Sequence, residues 1–177
     1  LHSATGLNVP IDMVCPQRFL AAVAPNVAAK LEQTTVSNEL LISGVSQWQH
    51  KADVLVIEGA GGVYCPLSDE LTVLDFAIQI QAPVLVVAAN RLGVISHTRL
   101  TVDRLRQSGL NVAAIILNEL QHTSANDASL ESNARQISHW IPDVALLSAR
   151  FRSETIFMVH NEAALTNSLL VRIIDRF

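Results

Sequence analysis

Short unbroken apolar runs alternate along this chain with stretches in which apolar residues recur every three or four positions. The runs lie at 54–57 (Val-Leu-Val-Ile), 83–89 and 111–117, the last ending at Asn118. Each has the pattern of a strand buried on both faces. A shorter run at 144–147 predicts an edge strand. Between them the spacing turns helical. Residues 19–33 carry Phe19, Leu20, Val23, Val27, Ala28 and Leu31 at helical intervals interrupted by Pro25. Thr35 or Ser37 caps a helix running to about His50, with Leu40, Leu41, Val45 and Trp48 on its inner face. Residues 71–81 predict a helix packed through Val73, Leu74, Phe76, Ala77 and Ile80. Residues 97–108 predict another, ended by Gly109. A polar stretch at 120–128 leads into a helix reaching about Trp140, and 161–176 reads as a final helix.

Strands alternating with helices predict an α/β fold, a doubly wound and mostly parallel sheet with flanking helices. A length of 177 residues with 50% apolar and 16% charged residues suits one domain with a substantial core, spanning 1–177. A net charge of −4 and the lack of a basic run give no reason to expect nucleic acid as a partner. No apolar run approaches membrane-spanning length, and no secretory leader is visible. Cys15 and Cys65 stand far apart, which suits a cytoplasmic location and no structural zinc.

Candidate chemistry concentrates where the first run stops. Glu58 follows Ile57 at once, and Gly59-Ala60-Gly61-Gly62 follows Glu58. A carboxylate at a buried strand end is costly unless it is paired or holds a cation. Glu58 is therefore either a cation ligand or a solvated acid capping the turn. Glycines there let the backbone approach a ligand closely, or simply make a tight turn with positive φ. Arg91, Leu92, Gly93, Val94, Ile95 and Ser96 lead into the 97–108 helix, whose first amides are suited to a carboxylate. Ser96 reads as its N-cap. Asn118, followed by Glu119, offers a side-chain amide that matches a purine edge, or forms an ordinary strand-end turn. The six histidines are dispersed without metal-ligand spacing, and there is no GxSxG elbow. Trp48 and Trp140 fall on predicted inner faces.

Taken in order, IEGAGGVYCPL, PVLVV, LGVISH and the strand-end Asn118 resemble the dethiobiotin synthetase family, and the likeness covers roughly 25–140. The resemblance implies a P-loop NTPase-like fold that uses ATP and Mg²⁺. It implies closure of the ureido ring of dethiobiotin from 7,8-diaminononanoate and CO₂. Glu58 would bind Mg²⁺, and Glu58, Gly59, Ala60, Gly61, Asn118 and Glu119 would contact the nucleotide. Gly61 would line the reacting centre. Gly62 and the Arg91-to-Ser96 segment would hold the small-molecule substrate, in a homodimer whose subunits share that site. The chain lacks the family's first strand and GxxxxGK[ST] phosphate loop. Either it begins downstream of that loop, which retention of Glu58 favours, or it is a non-catalytic dimerising or regulatory relative. The 146–151 segment lacks the Pro usual on the adenine side. The synthetase reading rests on Glu58 facing a pocket. An acid turned to solvent would leave, on these residues alone, only an α/β scaffold.

Overall fold

The computed structural model describes residue 6 and residues 8–120, 128–152 and 156–160. It divides into two compact units, Leu1–Ile80 and Gln81–Phe177.

The first unit is helical among its described residues: α1 (Ile11–Val14), α2 (Pro25–Leu31), α3 (Asn38–Ser46) and α4 (Val73–Ile80). Pro25 does not interrupt a helix. It opens α2 at the first-turn position, where its missing N–H is not needed. Ser37 caps α3, its hydroxyl accepting from Leu40 N–H at 3.2 Å. The expected inner face of α3 is not buried, and Leu40 is 48% exposed. α4 starts later than its apolar spacing suggests, because Thr72 and Asp75 form a reciprocal cap. Asp75 Oδ2 accepts from Thr72 N–H at 2.9 Å, and Thr72 Oγ1 accepts from Asp75 N–H at 3.2 Å.

Residues 54–57 correct the sequence expectation most sharply. They belong to no strand, and Leu55, Val56 and Ile57 are 41%, 65% and 41% exposed. A strand exists only through ladder bonds to a neighbour. None of the described residues pairs with this run.

The second unit carries a four-stranded sheet in the order β1 (Val84–Ala89), β2 (Val112–Asn118), β3 (Ala145–Ala149) and β4 (Ile156–His160). β1, β2 and β3 run parallel, while β4 returns antiparallel to β3. The expected mostly parallel α/β sheet with flanking helices is therefore present. The 144–147 run is not an edge strand, because β4, which the sequence pattern did not suggest, covers its far side. β2 is central, with Ile115 and Leu117 almost fully buried. Burying each such side chain stabilises by about 1.5–3 kcal/mol. β1 lies at an edge, and Val87 is 63% exposed.

Among the described residues this unit has two helices, α5 (Val94–Gln107) and α6 (Ala128–Trp140). α5 packs on β1, β2 and α6 through Val94, Thr98, Val102 and Leu105. It ends as Gly109 predicts. With φ +76° at Gly109, Gly109 N–H reaches Arg106 O at 2.9 Å and Leu110 N–H reaches Leu105 O at 3.0 Å. Trp140 is not core: it is 52% exposed beneath the Arg99 guanidinium, 4.5 Å from its ring centre. The final helix expected at 161–176 lies outside the described residues.

Candidate functional site

The carboxyl ends of β1 and β2 lie side by side, Ala89 opposite Asn118. Parallel sheets bind ligands beyond this edge, because the chain turns away there and leaves backbone groups open. One main-chain bond joins the two ends. Asn90 N–H donates to Asn118 O at 2.8 Å. The next pair of ends is tied likewise, Glu119 N–H donating to Ala149 O at 2.9 Å. The Arg91-to-Ser96 segment and Asn118-Glu119, read separately from the sequence, thus meet at one edge of one sheet.

Gly93 makes the turn from strand to helix. Its φ of +93° is open to glycine at little cost, and it is the N-cap residue of α5. The helix therefore starts at Val94, and Ser96 lies inside its first turn instead of capping it. Val94 N–H donates to Arg91 O at 3.1 Å, closing the turn. Arg91, Leu92 and Ser96 are exposed, and Leu92 reaches 87%. Amides in the first turn of such a helix have no partner four residues back and carry the positive end of its dipole.

Sequence reasoning missed Asn90 and Asn133. Asn133, on α6, is only 3% exposed, and its amide donates to Asn90 Oδ1 at 2.8 Å. The same amide lies 3.5 Å from Arg91 O. A signal was present: Asn133 stands one turn before Ile137, which is fully buried, so a polar residue occupies the inward face of α6.

The Glu58 group belongs to the first unit. Glu58 is exposed to solvent, against the expectation of a pocket-facing acid. With no strand at 54–57, nothing among the described residues buries its carboxylate. The glycines fit the tight-turn alternative. Gly61 has φ +82°, and a Cβ on it would lie 3.2 Å from Cys65 Cβ. A Cβ on Gly59 would lie 3.0 Å from Val73 Cγ1. Both glycines are thus needed by the chain's own packing, while Gly62 faces open space. Among the described residues no three His, Cys, Asp or Glu side chains gather to hold a metal ion. One exposed carboxylate does not make a Mg²⁺ site, so these residues do not by themselves fit the ion.

The first unit has its own polar cleft of about 260 Å³, lined by Asn26, Lys30, Asn38 and Asp69 among others. Lys30 Nζ lies 2.7 Å from Asp69 Oδ1, and Asn26 Nδ2 donates to the same oxygen at 3.1 Å. Lys30 above all, then Asn26, holds the Asp69 carboxyl below the usual carboxylate range. The sequence spacing gave no hint of this pairing.

A mostly parallel sheet with flanking helices makes this an α/β domain, and a family described as AAA domain matches residues 2–168. The chain belongs to the dethiobiotin synthetase family. It is 40% identical over 138 residues to the ATP-dependent dethiobiotin synthetase BioD of Anaeromyxobacter sp. (strain Fw109-5), covering 78% of this chain and 61% of that protein. The protein of the same name from Rhodopirellula baltica is 37% identical over 157 residues, covering 82% and 60%. That of Anaeromyxobacter dehalogenans (strain 2CP-C) is 35% identical over 156 residues, covering 82% and 69%. The chain therefore spans about 60% of the length of the first two relatives. No helix among the described residues is long and apolar enough to cross a membrane.

Proposed function

We propose that the protein carrying this chain is an ATP-dependent dethiobiotin synthetase of the cytoplasm. It closes a ureido ring on 7,8-diaminononanoate with CO₂, ATP being the co-substrate that supplies the leaving phosphate. The observation that carries this reading is the backbone bond from Asn90 to Asn118, which brings the 91–96 segment beside Asn118-Glu119 in a chain of this family. In this reading Arg91 and the α5 amides that follow Val94, whose own N–H is held by Arg91 O, receive the substrate carboxylate, with Leu92, Gly93, Val94, Ile95 and Ser96 shaping the contact. The Asn118 amide reads the adenine edge, beside Glu119. Gly62, the open glycine of its turn, keeps its proposed place at the substrate. Glu58, with Gly59, Ala60 and Gly61, contributes one carboxylate toward Mg²⁺ and the phosphates, a site these residues do not complete. The exposure of Arg91, Leu92, Gly93 and Ser96 suits a homodimer in which each subunit's segment serves the other's substrate.

A second reading has its own support. The exposed Glu58, without a cluster of metal-ligating side chains among the described residues, favours a non-catalytic dimerising or regulatory relative. One assay separates the two. Purified protein is incubated with 7,8-diaminononanoate, bicarbonate, ATP and Mg²⁺, and dethiobiotin is quantified by mass spectrometry. Product that depends on each component supports the synthetase. Binding of ATP or diamine without product supports the second reading, and binding of neither overturns both.

A further inference from the structure

Beyond the residues that meet ligand, we propose that Asn133 is a positioning residue that fixes the 91–96 segment in its carboxylate-receiving form, through Asn90. The inference rests on the reading of that segment given above. Asn133 is the single buried polar side chain of α6 among the described residues, and α6 otherwise contributes apolar packing through Ile137. A buried amide is retained at such a place only when its hydrogen bonds are made. Both of its contacts go to the same short stretch: Asn90 Oδ1 at 2.8 Å and Arg91 O at 3.5 Å. Arg91 O also accepts from Val94 N–H at 3.1 Å, and Asn90 N–H is held by Asn118 O at 2.8 Å. The backbone at 90 and 91 is thus clamped from three sides: by its neighbouring strand, by the helix it starts and by Asn133. The Arg91 side chain meanwhile remains exposed.

The clamp places Arg91 and Gly93 without touching substrate, so its loss weakens binding of the carboxylate and leaves nucleotide binding unaltered. The bond has a direction: Asn133 donates and Asn90 Oδ1 accepts. Asn90→Asp keeps an acceptor there, whereas Asn90→Ala and Asn133→Ala abolish the bond.

The test measures binding of 7,8-diaminononanoate and of ATP by calorimetry, which needs no turnover, for the intact protein and for N133A, N90A, N90D and R91A. Circular dichroism checks folding. N90A, which changes a loop side chain, stands in if N133A does not fold. Loss of one hydrogen bond from the receiving form predicts a rise of about tenfold in the diamine Kd for N133A and N90A. The ATP Kd is expected to stay unchanged, and N90D to bind diamine like the parent. If R91A weakens diamine binding while N133A and N90A do not, the positioning role is refuted and the carboxylate reading stands. If N90A weakens ATP and diamine binding equally, the role is general stability and the proposal fails. If R91A leaves diamine binding unchanged, the carboxylate reading falls and the proposal with it.

Discussion

Gly93→Ala isolates the conformational demand at the entrance to α5. Gly93 sits at φ +93° and ψ −12°, and a Cβ there would meet only His97 Cε1, at 3.7 Å. That is ordinary van der Waals contact, so crowding adds nothing and the whole cost is backbone strain. Holding an L residue in the left-handed region costs about 1–2 kcal/mol. For a chain of 177 residues each 1 kcal/mol lowers Tm by about 2–4 °C. Urea unfolding followed by circular dichroism should therefore show a loss of about 1–2 kcal/mol. Gly109→Ala, at φ +76° with no neighbour within 4 Å, should lose a similar amount. Gly62→Ala is the control: it has neither a positive φ nor a neighbour within 4 Å, so its change should stay within about 0.5 kcal/mol. If G93A matched the parent while G109A did not, the turn at 93 would tolerate another conformation and the account of α5 entry would be wrong. A loss above about 4 kcal/mol would instead signal a steric clash that the geometry excludes.

Ile137→Ala removes a fully buried side chain from α6 and should cost about 2–5 kcal/mol in denaturant unfolding. Thr72→Ala breaks the reciprocal cap of α4 and should cost about 1 kcal/mol, with loss of helical signal from that turn. Arg106 lies 2.6 Å from Asp143 and, by its hydrogen bond, holds that carboxyl below its usual range. A lowered folded-state pKa means the stabilisation is present above the ordinary carboxylate range and is lost as pH falls through the folded value. Because both side chains are largely exposed, D143N should cost less than about 1 kcal/mol at neutral pH and nothing once the carboxyl is protonated. Equal costs at both pH values would refute the ion pair.

The second unit was legible because its signals are local. β1 and β2 are runs of branched apolar residues, and α5 closes on a glycine whose φ the sequence anticipates. The start of α5 was misread because Ser96 looks like a cap, while the real entry depends on Gly93 turning left-handed. β4 was missed because it is defined by pairing with β3, not by a strong pattern of its own. The 54–57 run shows the converse: a flawless apolar pattern without strand partners among the described residues forms no strand and leaves Leu55, Val56 and Ile57 exposed. The site divides along the same line. Arg91 and Asn118 were proposed from their places after strands, which lie at one sheet edge, whereas Asn133 reaches Asn90 from a helix far along the chain. Lys30 and Asp69 likewise meet across 39 positions of sequence, which no spacing rule links.

The bond from Asn90 to Asn118 is made entirely of main chain, so it is indifferent to which side chains its residues carry. Arg91, Asn118 and Glu119 can therefore be exchanged, singly or together, and the gap between the strands will keep its width. Only a proline at position 90, which has no N–H to give, or a length change between strand and helix would open it. Side chains at 91, 118 and 119 can therefore vary over a spacing that the main chain sets.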